Sequence, residues 1–280
     1  MRAAVLGHVE WVESVRVDRV PGSGEVVHGI DWWQGPGGAG AGAAVQLQKL
    51  TGDAIFYTAV GDDDLGLRAR RELEAMDLEL EASTRAAPTR RALALIDADG
   101  ERAITVVGER HHPQVNDPLR WDHLHGVDVA FLTAADEAAV QIARRARVVV
   151  ATSRILPLLR ATGAELDALV GSASDPAETY RDGDLDPPPR LVVRTSGSQG
   201  GTFAVAGGLP RSFPAAPIGG PVMDRYGAGD SFAAALAYAL AAGLPPPEAV
   251  AVAARCGAAV LRGRGPFEGQ LTRADLEGGS

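Results

Sequence analysis

The spacing of short, almost wholly apolar runs along the chain restricts its fold more than any other feature. Ala3–Leu6, Ala54–Val60, Val127–Leu132, Val148–Ala151 and Leu191–Thr195 each have the length of one strand and show little polar alternation. A run that is apolar on both faces suits a strand covered on both faces. Helical patterns are predicted between these runs, over 38–50, 63–76, 136–145 and 155–161, and the chain ends in helices over 230–242 and 247–261. Strands alternating with helices call for a parallel sheet with helices on both sides, an α/β fold.

Two stretches break this alternation. Val15, Val17 and Val20 are interleaved with Arg16, Asp18 and Arg19; the chain turns at Pro21-Gly22-Ser23-Gly24 and returns through Val26, Val27 and Ile30 to Trp32 and Trp33. Further on, Arg90–Ile96 and Arg102–Val107 flank Asp97-Ala98-Asp99-Gly100, a turn whose glycine accepts a positive φ without strain. Both are expected to be half-exposed hairpins, over 12–34 and 88–110, inserted into a single domain spanning 1–280. There is no internal repeat, and Asp186-Pro187-Pro188-Pro189 serves as a local rigid connector, not a domain linker.

With 46% hydrophobic and 22% charged residues, the chain can build a globular core. Its formal charge of −9 argues against general binding to nucleic acid or anionic membranes, which requires a positive field, and favours a small-molecule partner. The single cysteine, Cys256, excludes an internal disulfide framework, and no run approaches the roughly 18 apolar residues that span a bilayer, so a cytoplasmic location is expected. Lys49, the only lysine, lies outside any Walker A context, so phosphate would have to be handled by another device.

That device is expected at Asp224-Arg225-Tyr226-Gly227-Ala228-Gly229-Asp230-Ser231-Phe232, directly ahead of the helical run that continues to 242. Small residues leave their amides uncovered, and a helix N-terminus carries about half a positive charge, so the turn can hold an anion. Asp230 at the helix start can either cap the helix or accept a proton from a hydroxyl approaching a phosphate.

These residues resemble the C-terminal signature D-T-x-G-A-G-D-x-F of the PfkB carbohydrate kinases, the family with a ribokinase-like fold. Gly227, Ala228, Gly229, Asp230 and Phe232 match, while Arg225 replaces the threonine. Three further segments follow in the family's order. Gly37-Gly38-Ala39-Gly40 is similar to its N-terminal glycine region, Val60-Gly61-Asp62-Asp63-Asp64-Leu65-Gly66 to V-G-x-D-x-x-G, and Thr195-Ser196-Gly197-Ser198-Gln199-Gly200 to its phosphate-contacting T-x-G-x-x-G. Asp175-Pro176-Ala177-Glu178 stands where the family has N-x-x-E, with Asp for Asn.

The resemblance implies a three-layer α/β/α core with a small β-sheet lid made from the two hairpins. It implies an ATP-dependent kinase acting on a hydroxyl of a small carbohydrate, with Asp230 as base and the Gly227, Ala228 and Gly229 amides as anion hole. Thr195, Gly197, Ser198, Gly200 and Asp224 would face the nucleotide. Gly37, Gly38, Glu10 and Trp33 would face the acceptor, and Asp175 and Glu178 would tend Mg²⁺ through water. A monovalent cation such as K⁺ and a homodimer joined through the lids are further expectations from the family. One departure concerns the acceptor: the family's hydroxyl-binding Asp falls at Val12, leaving Glu10 or Glu13 to substitute. Trp11, Trp32 and Trp33 can wall a sugar ring or simply pack the lid.

Rival readings are a nucleoside kinase of the same fold and a catalytically silent sugar or nucleotide sensor, against which the Asp230 turn argues. Gly35, Gly37 and Gly40 fit G-x-G-x-x-G but follow the first hairpin and not a core strand, which argues against a dinucleotide enzyme. His111-His112 and His123-x-His125 lack a second ligand set for metal.

Overall fold

The computed structural model describes residues 1–278. Strand β1 (Ala3–Leu6) opens the chain, and the first excursion follows as β2 (Glu10–Arg16) and β3 (Asp31–Gly37). Helix α1 (Ala39–Thr51), β4 (Ala54–Gly61), α2 (Asp64–Glu74) and β5 (Glu79–Arg85) come next, then the second excursion, β6 (Arg91–Ile96) and β7 (Arg102–Val107). The chain continues through β8 (Val129–Leu132), α3 (Glu137–Ala143), β9 (Val148–Thr152), α4 (Leu156–Thr162) and β10 (Ala168–Ser172). It closes with β11 (Leu191–Thr195), β12 (Gly201–Val205), β13 (Arg211–Phe213), α5 (Ala228–Ala241), α6 (Pro246–Val260) and α7 (Arg273–Gly278).

A nine-stranded sheet runs in the order β13-β12-β11-β10-β9-β8-β1-β4-β5, parallel from β11 to β5, with β12 and β13 antiparallel at one edge. The two-residue strand period divides the core. Ala3 and Val5 pack with α1, α5 and α6, while Ala4 and Leu6 pack with α3 and α4 on the opposite face. This is the expected three-layer α/β/α arrangement. Helix α5 is buried on almost every side, from Ser231 to Ala237 and at Ala239 and Ala241, which accounts for its nearly unbroken alanine and leucine sequence.

The two excursions meet in a separate four-stranded sheet, β3-β2-β6-β7, in which β2 and β6 are parallel and the outer pairs antiparallel. Register places Val12, Ser14, Gly35, Trp33, Ala92, Ala94 and Ile104 on one face of this lid. That face meets the core at Tyr226, which forms a small apolar cluster with Val12 and Ala92.

Strands β5, β10, β12 and β13 were not predicted. In β5, polar residues alternate with small ones, and Glu79 and Glu81 serve a surface ion-pair network with Arg2 and Arg120. It is an edge strand with no apolar run to reveal it. No helix among the described residues is long and apolar enough to cross a membrane.

Candidate active site

The turn before α5 is held in shape by groups buried beneath it. Gly227 has φ of 84°, and a Cβ there would lie 2.7 Å from Cβ of Pro266, so backbone conformation and space both demand glycine. Asp224 is fully buried; its Oδ1 accepts from the Tyr226 amide at 2.8 Å and its Oδ2 from the Gly265 amide at 3.0 Å. Its expected place among nucleotide contacts is therefore corrected: with both oxygens used inside the protein, Asp224 fixes the turn. Burial raises its pKa, opposed by those same hydrogen bonds.

Asp230 is the third residue of α5 and not its cap; Gly227 occupies the cap position, and no side chain caps this helix. The carboxylate stands against α1, where a Cβ on Gly42 would come within 3.2 Å of Cβ of Asp230. Burial pushes its pKa up to about 6, with Arg102 and Arg154 pulling down and Glu178 and Glu10 pushing up. A carboxyl in this range is largely ionised at neutral pH, yet a better proton acceptor than an exposed aspartate. Gly229 beside it is exposed, with open space where a side chain would stand. The first-turn amides of α5 are thus available to an incoming anion.

A chain of buried hydrogen bonds joins this turn to the base of the lid. The Tyr226 hydroxyl donates to Glu10 Oε1 at 2.7 Å and accepts from the Gly38 amide at 2.9 Å. Arg90 Nε donates to Glu10 Oε2 at 3.0 Å. Burial, with the negative charge of Glu10, keeps the tyrosine phenol protonated far above its ordinary range. Both oxygens of Glu10 therefore have protein partners, and the residue ties lid to core. Glu13 lies on the other face of β2 and pairs with Arg91. Gly37 packs against Tyr226, since a Cβ there would lie 3.1 Å from the tyrosine hydroxyl oxygen.

The tryptophans separate by face. Trp33 shares the inner lid face with Val12, and its ring lies 5.7 Å from the Arg264 guanidinium. Trp32 points outward and is 61% exposed. Trp11 is fully buried under Arg68, a packing role.

The loop Thr195–Gly200 leaves the carboxyl end of β11, where ligands of open α/β sheets bind. Ser196 to Gln199 are exposed, while Gly200 is buried with φ of 77° and no room for a side chain beside the carbonyl of Phe213. Arg154 lies nearby, bonded to Asp175 Oδ2 at 2.6 Å and to Glu178 Oε1 at 2.7 Å. The remaining oxygens accept from the Ala177 amide and the Ser172 amide. No set of three or more potential ligands converges among the described residues. All four oxygens of Asp175 and Glu178 thus have protein partners.

Arg90, Arg102, Arg110, Arg154, His8 and Tyr226 surround the site, and none was singled out from the sequence. In a chain with 26 arginines against one lysine, no arginine stands out. The one available hint was position: Arg90 and Arg110 bracket the second hairpin at its two roots.

A three-layer α/β/α core, a separate β-sheet lid that meets the core at Tyr226 and a glycine turn with an acidic residue in the first helical turn define a kinase of the ribokinase-like fold. The chain belongs to the pfkB family of carbohydrate kinases, whose model matches residues 2–272. It is 32% identical over 254 residues to an ATP-dependent ribose-1-phosphate kinase from Halopiger xanaduensis, covering 84% of this chain and 83% of that one. The fold is similar to that of Arabidopsis thaliana ribokinase complexed with ribose and ATP (TM-score 0.76, 20% identity, 99% and 97% of the two chains). It is also similar to adenosine kinase from Sinorhizobium meliloti (TM-score 0.79, 17% identity, 100% and 99%).

Proposed function

We propose that the protein transfers the γ-phosphoryl group of ATP to a hydroxyl of a small carbohydrate, with Asp230 as the general base. The observation that carries this reading is a carboxylate with pKa near 6 standing beside uncovered amides at the head of α5. The acceptor oxygen attacks phosphorus as its proton passes to Asp230, and the Gly227, Ala228 and Gly229 backbone stabilises the charge on the transferring group. Mg²⁺ bound with ATP would supply charge neutralisation, with Glu178 and Asp175 orienting water around it. Thr195, Gly197, Ser198 and Gly200 line the donor side. Gly37, Gly38, Trp33 and the Glu10–Tyr226 link shape the acceptor side. Lid closure excludes water from competing as acceptor.

Two acceptor classes have support beyond free sugars. The name of the Halopiger relative brings in a phosphorylated pentose, and the flat Trp33 ring on the inner lid face suits a nucleobase. The test is ADP formation across free sugars, sugar phosphates, polyols and nucleosides, with and without Mg²⁺ and K⁺. ATP binding without turnover on any acceptor would favour the sensor. Outward-facing Trp32 and the exposed strand β7 favour pairing of two lids, which light scattering would read as a dimer.

A further inference from the structure

Asp230 is held without a hydrogen bond of its own. Burial and the charges of Arg102, Glu178, Glu10 and Arg154 set its pKa, and no protein group among the described residues donates to the carboxylate. Its direction therefore depends on how closely its own helix, α5, stands to α1. The contact is Gly42 of α1, where a Cβ would lie 3.2 Å from Cβ of Asp230 and 3.5 Å from its Oδ2. Glycine inside a helix is unfavourable relative to alanine, so this close approach is kept against helix propensity.

One side chain from elsewhere bridges the same two helices. Gln270, between α6 and α7, is buried; its Nε2 donates to the Gly42 carbonyl at 2.7 Å and to the Ser231 hydroxyl oxygen at 3.0 Å. Gly42 is the residue Asp230 rests against, and Ser231 is its neighbour in the chain. The Gly42 carbonyl can only accept, which fixes the end of the amide that carries the hydrogens, and both of those hydrogens are used. One turn along α1, Gln46 makes a parallel tie, its Nε2 donating to the Leu271 carbonyl at 2.8 Å without a bond to α5.

Stability alone does not account for Gln270. Its Oε1 is buried with no partner among the described residues, between two helices whose buried residues are mostly alanine, glycine and other apolar side chains. An orphaned carbonyl costs roughly what a hydrogen bond returns, and a hydrocarbon side chain of the same shape would fill the place without that cost. The Gly42 carbonyl lies inside α1 and would keep its helical partner. An amide thus stands where a methionine would fold as well, which points to the geometry it imposes and not to the energy it returns.

On the reading that Asp230 is the base, we propose that Gln270 is a positioning residue: by joining the Gly42 carbonyl to the Ser231 hydroxyl it fixes the spacing of α1 and α5, and so the direction in which the Asp230 carboxylate meets the acceptor hydroxyl. It acts through these two groups and touches neither ATP nor the acceptor. Proton transfer needs the hydroxyl within hydrogen-bond reach of the base, and a displacement of about 1 Å produced far from the chemistry costs up to about a hundredfold in rate.

The test measures ADP release with the fastest acceptor among ribose, ribose 1-phosphate, fructose and adenosine, beside thermal melts. Wild type is compared with Gln270→Met, Gln270→Leu, Gln46→Met, Asp230→Asn and the double variant Gln270→Met with Asp230→Asn. Gln270→Met should melt within about 3 °C of wild type, because two hydrogen bonds and one orphaned oxygen leave together. Its kcat should fall at least about tenfold, with KM for ATP and for the acceptor changed less than about twofold. Gln46→Met should melt alike and keep kcat within about twofold of wild type. In the Asp230→Asn background, Gln270→Met should change the residual kcat by less than about twofold, since a residue acting through the base then has nothing left to position. An unchanged kcat in Gln270→Met and Gln270→Leu, an equal loss in Gln46→Met, or the full loss persisting beside Asp230→Asn would overturn the inference and leave the base in place. Near-normal turnover of Asp230→Asn alone, or wild type idle on all four acceptors, would remove the base and this inference with it. If neither Gln270 variant folds, Ser231→Ala serves, smaller by one oxygen and lacking one of the two anchors. A kcat loss of at least about threefold at wild-type Tm then supports the positioning role, and an unchanged kcat overturns it.

Discussion

Replacing Asp230 by Asn should damage catalysis and strengthen the fold at the same time. The carboxyl's pKa rises from its ordinary 3.8 to about 6, chiefly through burial. Between these values the folded protein holds more protons than the unfolded chain, so stability declines as pH rises through the window and levels off above it. A shift of about two units corresponds to roughly 3 kcal/mol, and partial solvent access reduces this to about 1–3 kcal/mol. Asn cannot ionise and escapes the penalty. The variant should match wild type in stability below about pH 4, gain on it between about pH 4 and 6, and keep the full margin above, a few degrees in Tm. Over the same range kcat should fall by about 10²–10⁴, the usual contribution of a general base. Thermal melts at pH 3.5, 5 and 8 beside ADP-release kinetics read both effects. A variant less stable than wild type at pH 8 would refute the buried, raised carboxyl, and near-normal turnover would refute the base.

Further outcomes follow from the same geometry. The acid limb of kcat/KM should fall near pH 6, and Arg102→Gln should move it upward, because Arg102 holds the Asp230 pKa down; a downward shift would contradict the assignment. Tyr226→Phe strands Glu10 Oε1 and the Gly38 amide, and denaturant titration should show a loss of about 1–3 kcal/mol; an unchanged midpoint would mean the buried link carries no stability. Gly227→Ala meets both a positive φ and Pro266, and should cost at least about 1–2 kcal/mol and distort the turn, seen as lowered Tm and lowered kcat together. Trp33→Ala should raise KM for the acceptor while leaving KM for ATP unchanged, and equal effects on both would remove Trp33 from the acceptor wall.

The legible parts of this protein are those whose physics is local. Apolar runs such as Ala54–Val60 identify central strands, because a strand covered on both faces needs no polar residue. The Asp97–Gly100 turn announced a hairpin, and the sequence around Gly227 to Asp230 announced a helix N-terminus able to hold an anion. Strand β5 stayed hidden because an edge strand carries charges, and β12 and β13 because short antiparallel edge strands lack a strong pattern.

Partnership was decided only in three dimensions. The sequence offered Asp224 as a nucleotide contact and Glu10 as a substrate ligand, yet folding brings Gly265 to Asp224, and Tyr226 and Arg90 to Glu10. It offered Asp175 and Glu178 without the Arg154 that joins them. Residue 10 is 216 positions from residue 226, and no local pattern encodes which side chains will meet across that separation. A helix start and its amides are set by a few consecutive residues, so the sequence alone determined the glycine turn at the head of α5. The charges that act on Asp230 come from Arg102 on β7, Arg154 after β9, Glu178 and Glu10, far apart in the chain, so only the tertiary structure could decide them.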